Sequence, residues 1–280
     1  MKKSILFSLL IAALCVNFLF AENQKACAVD IIVAADGSGD YTTVQAAIDA
    51  APDNDTAETI ILVKKGTYQE KILIGASKTH LTLLGENVDS TILVWDDYSG
   101  RVVNGTTLGT STSYSFRVDA DYFKAENITF ENSAVQEAQA VAVLVNGDKN
   151  IFYHCRLIGN QDTYYTKGDG RIYMKDCYIE GTTDFIFGKS VVVFDSCMVQ
   201  SKKTSYITAA STDSAFAFGY VFFDCQLTAE PGILVWPGCP KWPFARTVFF
   251  HSYMGRHIVA QGWSDWSGNN NHLYGLLCRI

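Results

Sequence analysis

The segments Ile151-Phe-Tyr-His-Cys-Arg-Leu-Ile158 and Ile172-Tyr-Met-Lys-Asp-Cys-Tyr-Ile179 share one pattern, in which apolar and polar residues alternate around a cysteine. The pattern occurs six times, and its marked small residues are Asn127, Cys155, Cys177, Cys197, Cys225 and Ser252. The steps between them are 28, 22, 20, 28 and 27 residues. Such a period is typical of stacked repeats, and the alternation favours strands. The sequence therefore predicts an all-β fold, a right-handed parallel β-helix, with the marked residues stacked inside the tube.

A β-sandwich with regularly spaced strands is the alternative, but it predicts shorter steps of about 8 to 12 residues. Helix is expected in one place. Thr42 and Thr43 precede an amphipathic run from Val44 to Ala51, and Pro52 follows it. We expect this short helix to cap the open N-terminal end of the tube, because exposed terminal strands invite aggregation.

The N-terminus has the features of a secretory signal peptide. Lys2 and Lys3 precede an apolar run that ends at the small residue Ala21. We therefore expect a cleaved signal peptide at residues 1–21 and a single domain at residues 22–280, secreted or released into the periplasm. An uncleaved N-terminal anchor is the alternative.

The charge and the cysteine pattern of the chain limit the kinds of partner that it is expected to bind. The net charge is −7, and loss of the two N-terminal lysines with the signal peptide makes it −9. An acidic chain without a basic cluster is not expected to bind nucleic acid or anionic membranes, and we expect a monomer. The repeat cysteines are expected to be buried apolar members of the stack, although secretion would also permit disulfides between neighbours. No Cys-x-x-Cys pair or histidine pair at ligand spacing indicates a metal.

Two aspartates occupy the same place in consecutive repeats. Asp162 lies seven residues after Cys155, and Asp184 lies seven residues after Cys177. Stacked coils place equivalent residues side by side, about 4.8 Å apart. Two carboxylates at that distance disfavour ionising together, so one can hold a proton while the other is charged. This arrangement suits an acid/base and a nucleophile, whereas plain turn or cap aspartates are the alternative.

Amide side chains accompany the two carboxylates. Gln139 and Gln161 could donate to a developing oxyanion, or they could be members of an internal amide ladder. The sequence has no Gly-x-Ser-x-Gly elbow, P-loop or dinucleotide fingerprint. Carboxylates with amides suit hydrolysis of an ester without serine or metal, and paired carboxylates also suit glycoside hydrolysis.

A series of motifs follows in order along the chain: Asp36-Gly-Ser-Gly-Asp-Tyr-Thr-Thr-Val-Gln45, Gly66-Thr-Tyr-Gln-Glu70, Gln139-Ala-Val-Ala142, Gln161-Asp-Thr163, Asp184-Phe-Ile-Phe-Gly188, Tyr206-Ile-Thr-Ala209, and Gly262-Trp263 with Trp266. Each motif alone is weak, but together they resemble the pectin methylesterases (pectinesterases). The resemblance runs from about Val33 to Gly268. It implies hydrolysis of galacturonate methyl esters in pectin, which releases methanol and needs no cofactor.

The resemblance also assigns roles to residues. The matching positions are Asp184 for the nucleophile, Asp162 for the acid/base, Gln139 and Gln161 for the groups that stabilise the oxyanion, and Tyr165 and Phe187 for aromatics that line the sugar groove.

The chain departs from the family at the usual Leu-Gly-Arg-Pro-Trp motif, which here reads Pro237-Gly-Cys-Pro-Lys-Trp242. Cys239 stands where the family has an arginine that pairs with the nucleophile, and a cysteine supplies no fixed charge. Lys241 stands at the tryptophan position, so we expect Lys241 to replace part of the charge and Trp242 to replace the stacking ring by a shift of one position. The ending at Ile280 is shorter than is usual in the family, so we expect a domain that is either truncated at the C-terminus or naturally short.

Two other functions remain open on these residues. The substitution at Cys239 favours a catalytically impaired homologue that still binds pectin. A β-helix hydrolase or lyase that cuts the pectin backbone is the third hypothesis, but no carboxylate cluster suited to a calcium site is evident in the sequence.

Overall fold

The computed structural model describes residues 28–135, 137–238 and 242–265 and the backbone of a final strand, Leu276–Arg279. The chain winds as a right-handed parallel β-helix, as the repeat predicts. Each complete coil contributes one strand to each of three parallel sheets, called A, B and C in the order in which a coil visits them.

Sheet A has ten strands and sheet B has eight. Those of sheet A are β1 (Ile31–Val33), β2 (Thr59–Val63), β5 (Leu81–Gly85), β10 (Lys124–Glu126), β13 (Asn150–Tyr153), β16 (Arg171–Lys175), β19 (Val191–Asp195), β22 (Tyr220–Phe223), β25 (Arg246–Phe250) and β27 (Leu276–Arg279). Those of sheet B are β3 (Gly66–Gln69), β6 (Thr91–Trp95), β11 (Thr129–Asn132), β14 (Arg156–Ile158), β17 (Tyr178–Gly181), β20 (Met198–Ser201), β23 (Gln226–Ala229) and β26 (Tyr253–Met254).

Sheet C and the remaining elements complete the fold. The seven strands of sheet C are β4 (Ile72–Ile74), β9 (Phe116–Val118), β12 (Val143–Val145), β15 (Tyr164–Thr166), β18 (Ile186–Gly188), β21 (Tyr206–Ala210) and β24 (Trp236–Gly238). A small antiparallel hairpin, β7 (Val102–Val103) with β8 (Thr106–Thr107), precedes a 3₁₀ turn, Thr110–Thr112. Within the described residues, no helix is long and apolar enough to cross a bilayer.

One predicted member of the interior stack, Asn127, lies instead in the turn from sheet A to sheet B. In the register of sheet A, Asn127 is equivalent to His154 and not to Cys155, because Glu126 pairs with Tyr153. Asn127 has φ +57° and His154 has φ +51°, so both occupy the left-handed turn that Asn, Asp and His adopt more readily than other L residues. The inward position of that coil belongs to Ile128, which is fully buried. Asn127 is therefore a turn residue, not a member of the interior stack.

The four repeat cysteines do form the interior stack. Cys155, Cys177, Cys197 and Cys225 are all free thiols with at most 2% of their surface exposed. Their thiols donate to backbone carbonyls; the Cys177 sulfur, for example, lies 3.4 Å from the Phe152 oxygen. Burial raises the pKa of the Cys177 thiol well above its usual range. These cysteines act as small apolar core residues.

The expected helix α1 (Val44–Ala50) packs its buried face on the first coil. Its N-terminus is capped differently from the sequence expectation. Thr43 occupies the N-cap position but makes no side-chain capping bond. The carboxylate of Glu70 accepts the N–H groups of Val44 and Gln45 instead, at 2.8 and 3.0 Å. A carboxylate at this end also suits the helix dipole. The two bonds connect the helix to the turn between β3 and β4, where Glu70 lies.

Candidate active site

Asp162 and Asp184 enter sheet C on adjacent coils. Each lies two residues before its strand, and the register of β15 and β18 makes the two positions equivalent. The Asp162 N–H donates to the Thr183 oxygen and the Asp184 N–H donates to the Tyr206 oxygen, at 3.2 and 2.8 Å. The backbones of the two aspartates are therefore one strand spacing apart, about 4.8 Å along the stack. Both line one groove on the outside of sheet C.

The backbone at these two aspartates is left-handed, with φ +68° at Asp162 and +50° at Asp184. Aspartate tolerates this region better than most L residues. The turn directs both carboxylates out of the tube and over the sheet. Asp162 is only 5% exposed, whereas Asp184 is half-buried.

The groove is defined here by the side chains and backbone that line it: Thr110, Ser111, Gln139, Asp162, Tyr165, Asp184, Phe187, Gly188, Ala209 and Ser211. These residues come from four consecutive coils of sheet C and from the loop before β9. The groove therefore extends across several coils of the stack.

Gln139 and Gln161 lie next to each other on adjacent coils and pair through their backbones. Gln139 and Gln161 form an isolated parallel bridge, and the Ala140 N–H donates to the Gln161 oxygen at 3.0 Å. Gln139 is exposed and lines the groove beside Asp162. Gln161 is half-buried and lies next to the lining residues rather than among them. Gln139 is thus the better placed amide to meet a bound ligand.

Tyr165 and Phe187 form an aromatic surface beside the carboxylates. They pair across β15 and β18, in a row that runs from Leu144 to Ala209 along sheet C. Ala209, with a single methyl group, follows Phe187 in this row and leaves space at the end of the two rings. Flat aromatic surface beside polar groups suits a sugar ring, whose faces are apolar and whose edges carry hydroxyls.

The ionisation of Tyr165 follows from the same surroundings. Burial raises the pKa of Tyr165, the charge of Asp162 adds to this, and Lys189 opposes it. The phenol therefore stays protonated near neutral pH and can act as a hydrogen-bond donor.

Gly188 lets the backbone pass closely beneath the groove. Its φ is +121°, a region that L side chains rarely adopt. A Cβ at this position would lie 2.1 Å from the carbonyl oxygen of Thr166 on the preceding coil. Glycine is required here by both conformation and space.

One side of the groove is formed by residues 96–113, which we call the wall loop. Its 3₁₀ turn presents Thr110 and Ser111 to the groove. Lys71 holds the loop at two points, by an ion pair to Asp97 at 2.5 Å and by donation to the Thr112 oxygen at 2.7 Å. The Ser99 N–H also donates to the Gln139 oxygen at 2.8 Å. The wall loop and the Gln139 segment therefore form a single connected structure.

The predicted site residues have different outcomes. The structure brings Asp162, Asp184, Gln139, Tyr165 and Phe187 to one groove, with Gln161 beside it. Trp242 is 54% exposed and does not line this groove. Cys239 and Lys241 lie outside the described residues, as does the predicted signal peptide.

Several groove residues were missed by the sequence analysis. Thr110, Ser111 and Ser211 lie in loops without a repeat pattern, so no local signal marks them. In the part of the chain that the structure describes, no group of three or more His, Cys, Asp or Glu side chains is arranged to hold a metal ion.

Comparison with known proteins decides the family. The sequence model of the pectinesterase family matches residues 30–277. The chain belongs to the pectinesterase family. Members of this family are carboxylic ester hydrolases, and the chain is therefore an enzyme of that class. Pectinesterase 31 from Arabidopsis thaliana is 39% identical over 248 residues, which is 85% of this chain and 78% of the relative.

Solved structures agree with the family assignment. The pectin methylesterase from carrot is 30% identical to this pectinesterase-family chain, with a TM-score of 0.84 over 92% of this chain and 84% of the carrot chain. A pectin methylesterase solved in complex with a hexasaccharide is 27% identical, with a TM-score of 0.76 over 85% of this chain and 81% of its own. The fold is thus that of the pectin methylesterases.

Proposed function

We propose that the enzyme hydrolyses methyl esters of galacturonate units in pectin and releases methanol and de-esterified pectin. The observation that carries the proposal is the pair Asp162 and Asp184 on adjacent coils, above a groove with a glutamine amide and an aromatic surface. The family relatives are named for this activity, and one is a complex with an oligosaccharide.

The first half of the proposed reaction uses Asp184 as nucleophile. Its carboxylate adds to the ester carbonyl carbon, and the resulting oxyanion accepts hydrogen bonds from the amides of Gln139 and Gln161. Collapse breaks the bond to the methoxy oxygen, and methanol leaves with a proton from Asp162. The product is an acyl enzyme in which Asp184 is joined to the galacturonyl group as an anhydride.

The second half returns the enzyme to its starting state. Asp162, now a carboxylate, takes a proton from water, which adds to the acyl carbon. Asp184 leaves as a carboxylate and Asp162 is protonated again, while the de-esterified galacturonic acid unit dissociates from the site and loses its proton to solvent. The difference in exposure supports this division of roles, because burial disfavours the charged form of a carboxyl group and Asp162 is the more buried of the two.

Tyr165 and Phe187 are proposed to bind the sugar next to the reacting unit. Trp242 and Lys241 are proposed to contribute to binding further along the polysaccharide. We also propose that residues 1–21 direct export, since the substrate class is a cell-wall polysaccharide, and that the mature enzyme acts as a monomer without a cofactor.

Methanol release from methylated homogalacturonan tests the proposal. We expect turnover by the wild type and a loss of about 10³-fold or more in kcat for Asp184→Asn and for Asp162→Asn. Asp176→Asn is the matched control, because Asp176 is an exposed aspartate in a left-handed turn, with φ +52°, on the turn from sheet A to sheet B. Equal activity of all three variants and the wild type would contradict the assigned roles.

A pectin-binding homologue with impaired catalysis is the alternative, and Cys239 is the sequence feature that favours it. The wild type would then bind methylated pectin without releasing methanol, and Cys239→Arg would restore turnover. Comparable methanol release by the wild type and by Cys239→Arg would remove this alternative.

A further inference from the structure

The side chain of Asn132 lies at the junction of the wall loop and the Gln139 segment. Asn132 ends β11 on sheet B and is 3% exposed. Its Nδ2 lies 3.0 Å from the Asp97 oxygen and 3.1 Å from the oxygens of Ser113 and Val141. An amide nitrogen has two N–H groups, so three carbonyls share two donors.

The other end of the same amide fixes its orientation. The Asn132 Oδ1 accepts the Ala134 N–H at 3.0 Å, a local turn that Asn and Asp favour. The Ala134 oxygen in turn accepts a hydrogen bond from Nδ2 of Asn160, which directly precedes Gln161. Only an asparagine amide supplies both an acceptor for Ala134 and donors for the three carbonyls.

The three carbonyls belong to the wall loop and to the segment that carries Gln139. Asp97 and Ser113 are the two ends of the wall loop, and Val141 lies two residues after Gln139. One buried side chain therefore closes the wall loop and also joins it to the segment that carries Gln139. Backbone bonds continue this connection, since the Ser99 N–H donates to the Gln139 oxygen and the Ser115 N–H donates to the Val141 oxygen.

We infer that Asn132 is a positioning residue for ester hydrolysis, which holds Gln139 and the wall loop in place against the nucleophile. The inference rests on the proposed function and adds to it a residue that does not touch the substrate. Gln139 is exposed, so neighbouring side chains restrain it little. Its position therefore depends on its backbone, and Asn132 fixes that backbone from beneath.

Two substitutions at Asn132 distinguish the contribution of its Oδ1 acceptor from that of its Nδ2 donors. Asn132→Asp keeps the acceptor for Ala134 but removes the Nδ2 donors, and Asn132→Ala removes both. Displacement of a catalytic group by about 1 Å can lower a rate by about 100-fold. We expect both variants to lose about 10- to 100-fold in kcat, with a change in KM of less than about 3-fold.

A double-mutant cycle distinguishes positioning from general destabilisation. In a Gln139→Ala background, the further loss caused by Asn132→Ala should fall to less than about 3-fold, because the group being positioned is already absent. Asn150→Ala is the matched control. Asn150 is fully buried on sheet A and its Oδ1 accepts the Phe123 N–H, so its loss lowers stability away from the groove. Equal losses for Asn132→Ala in both backgrounds, or wild-type kcat for Asn132→Asp, would overturn the inference.

Hydrogen exchange gives a measurement that does not depend on turnover. In Asn132→Ala the amides of Ser99 and Ser115 should exchange about 10- to 100-fold faster, while the Ile151 amide on sheet A is unchanged. If the wild type releases no methanol, the proposed function fails, and these exchange rates still test separately whether Asn132 holds the wall loop against the Gln139 segment. Should neither variant fold, the wild type remains informative: Ser99, Ser115 and Ala134 must show similar protection, and rapid exchange of Ser99 beside a protected Ser115 would contradict the inference.

Discussion

Tyr165 stacks face to face on Phe187, with ring centroids 4.2 Å apart and an interplanar angle of 14°. The two rings belong to the same adjacent coils as Asp162 and Asp184, three residues further along each coil. The register that aligns the carboxylates therefore also aligns a sugar-sized aromatic surface beside them. The proposed catalytic groups and the proposed sugar-binding surface therefore both follow from one structural repeat.

Loss of either stacked ring should weaken substrate binding more than it slows the chemical step. We expect Tyr165→Ala and Phe187→Ala to raise KM for methylated pectin about 5- to 10-fold, since an aromatic contact contributes roughly 0.5–1.5 kcal/mol beyond its buried area. The measurement is the dependence of methanol release on pectin concentration. Phe223→Ala is the matched control, because Phe223 stacks on Phe250 on sheet A, with centroids 5.5 Å apart. A similar rise in KM for the control would show that the effect is not local to the groove.

The two glutamines are expected to differ in their effect on kcat. Gln139→Ala should lower kcat about 10²- to 10³-fold with little change in KM, as expected for the loss of an oxyanion donor. Gln161→Ala should have a smaller effect, because Gln161 lies next to the groove-lining residues and not among them. Gln226→Ala, an exposed glutamine on sheet B, should leave the rate unchanged. A larger loss for Gln161→Ala than for Gln139→Ala would reverse the assignment of the main donor.

The sequence was sufficient to predict the β-helix because apolar alternation recurs at a regular period, with a buried cysteine at the same position of four coils. It placed Asn127 wrongly because the turn residue and the inward residue are neighbours, and a shift of one position exchanges the two faces of a strand. Only the pairing of Glu126 with Tyr153 separates them. The aspartate pair was predictable for a related reason: Asp162 and Asp184 keep a constant distance from a marked cysteine.

Contacts between distant loops were not predictable in this way. Glu70 caps a helix that begins 26 residues earlier, and Asn132 bonds to carbonyls 35, 19 and 9 residues away. The three separations from Asn132 fall outside the repeat steps of 20 to 28 residues, since the wall loop lengthens one coil. Such contacts are determined by three-dimensional closure and leave no periodic signal in the chain.

The interior thiols should report on global unfolding. Cys155, Cys177, Cys197 and Cys225 are buried, and burial raises the pKa of Cys177, which keeps the reactive thiolate scarce. We expect iodoacetamide to leave these four residues unmodified in the native protein and to modify all four in 6 M guanidinium chloride. Peptide mapping by mass spectrometry separates them from the other cysteines of the chain. Native labelling of Cys177 at a rate near that of a free thiol would contradict the buried stack, and a disulfide between neighbours would contradict the free thiols.

The ion pair between Asp148 and Arg171 should make a small contribution to stability that disappears in acid. The Arg171 side chain holds the pKa of Asp148 at about 2, below the ordinary value of 3.8, and its Nε lies 2.9 Å from the Asp148 Oδ1. A lowered carboxyl pKa stabilises the folded state above the unfolded value and loses this effect as pH falls towards about 2. Both side chains are at least a third exposed, so screening limits the contribution to less than about 1 kcal/mol.

Arg171→Met should therefore lower the free energy of unfolding slightly at pH 6, and by progressively less at pH 4 and pH 3. Urea unfolding at each pH measures the difference. Lys203→Met removes the same charge at an exposed position and controls for the change in net charge. If the two variants lose equal stability at every pH, the effect of Arg171 comes from overall charge. If the loss for Arg171→Met instead grows as the pH falls, protonation of Asp148 is not what removes the stabilisation, and the pairing assigned to Arg171 is wrong.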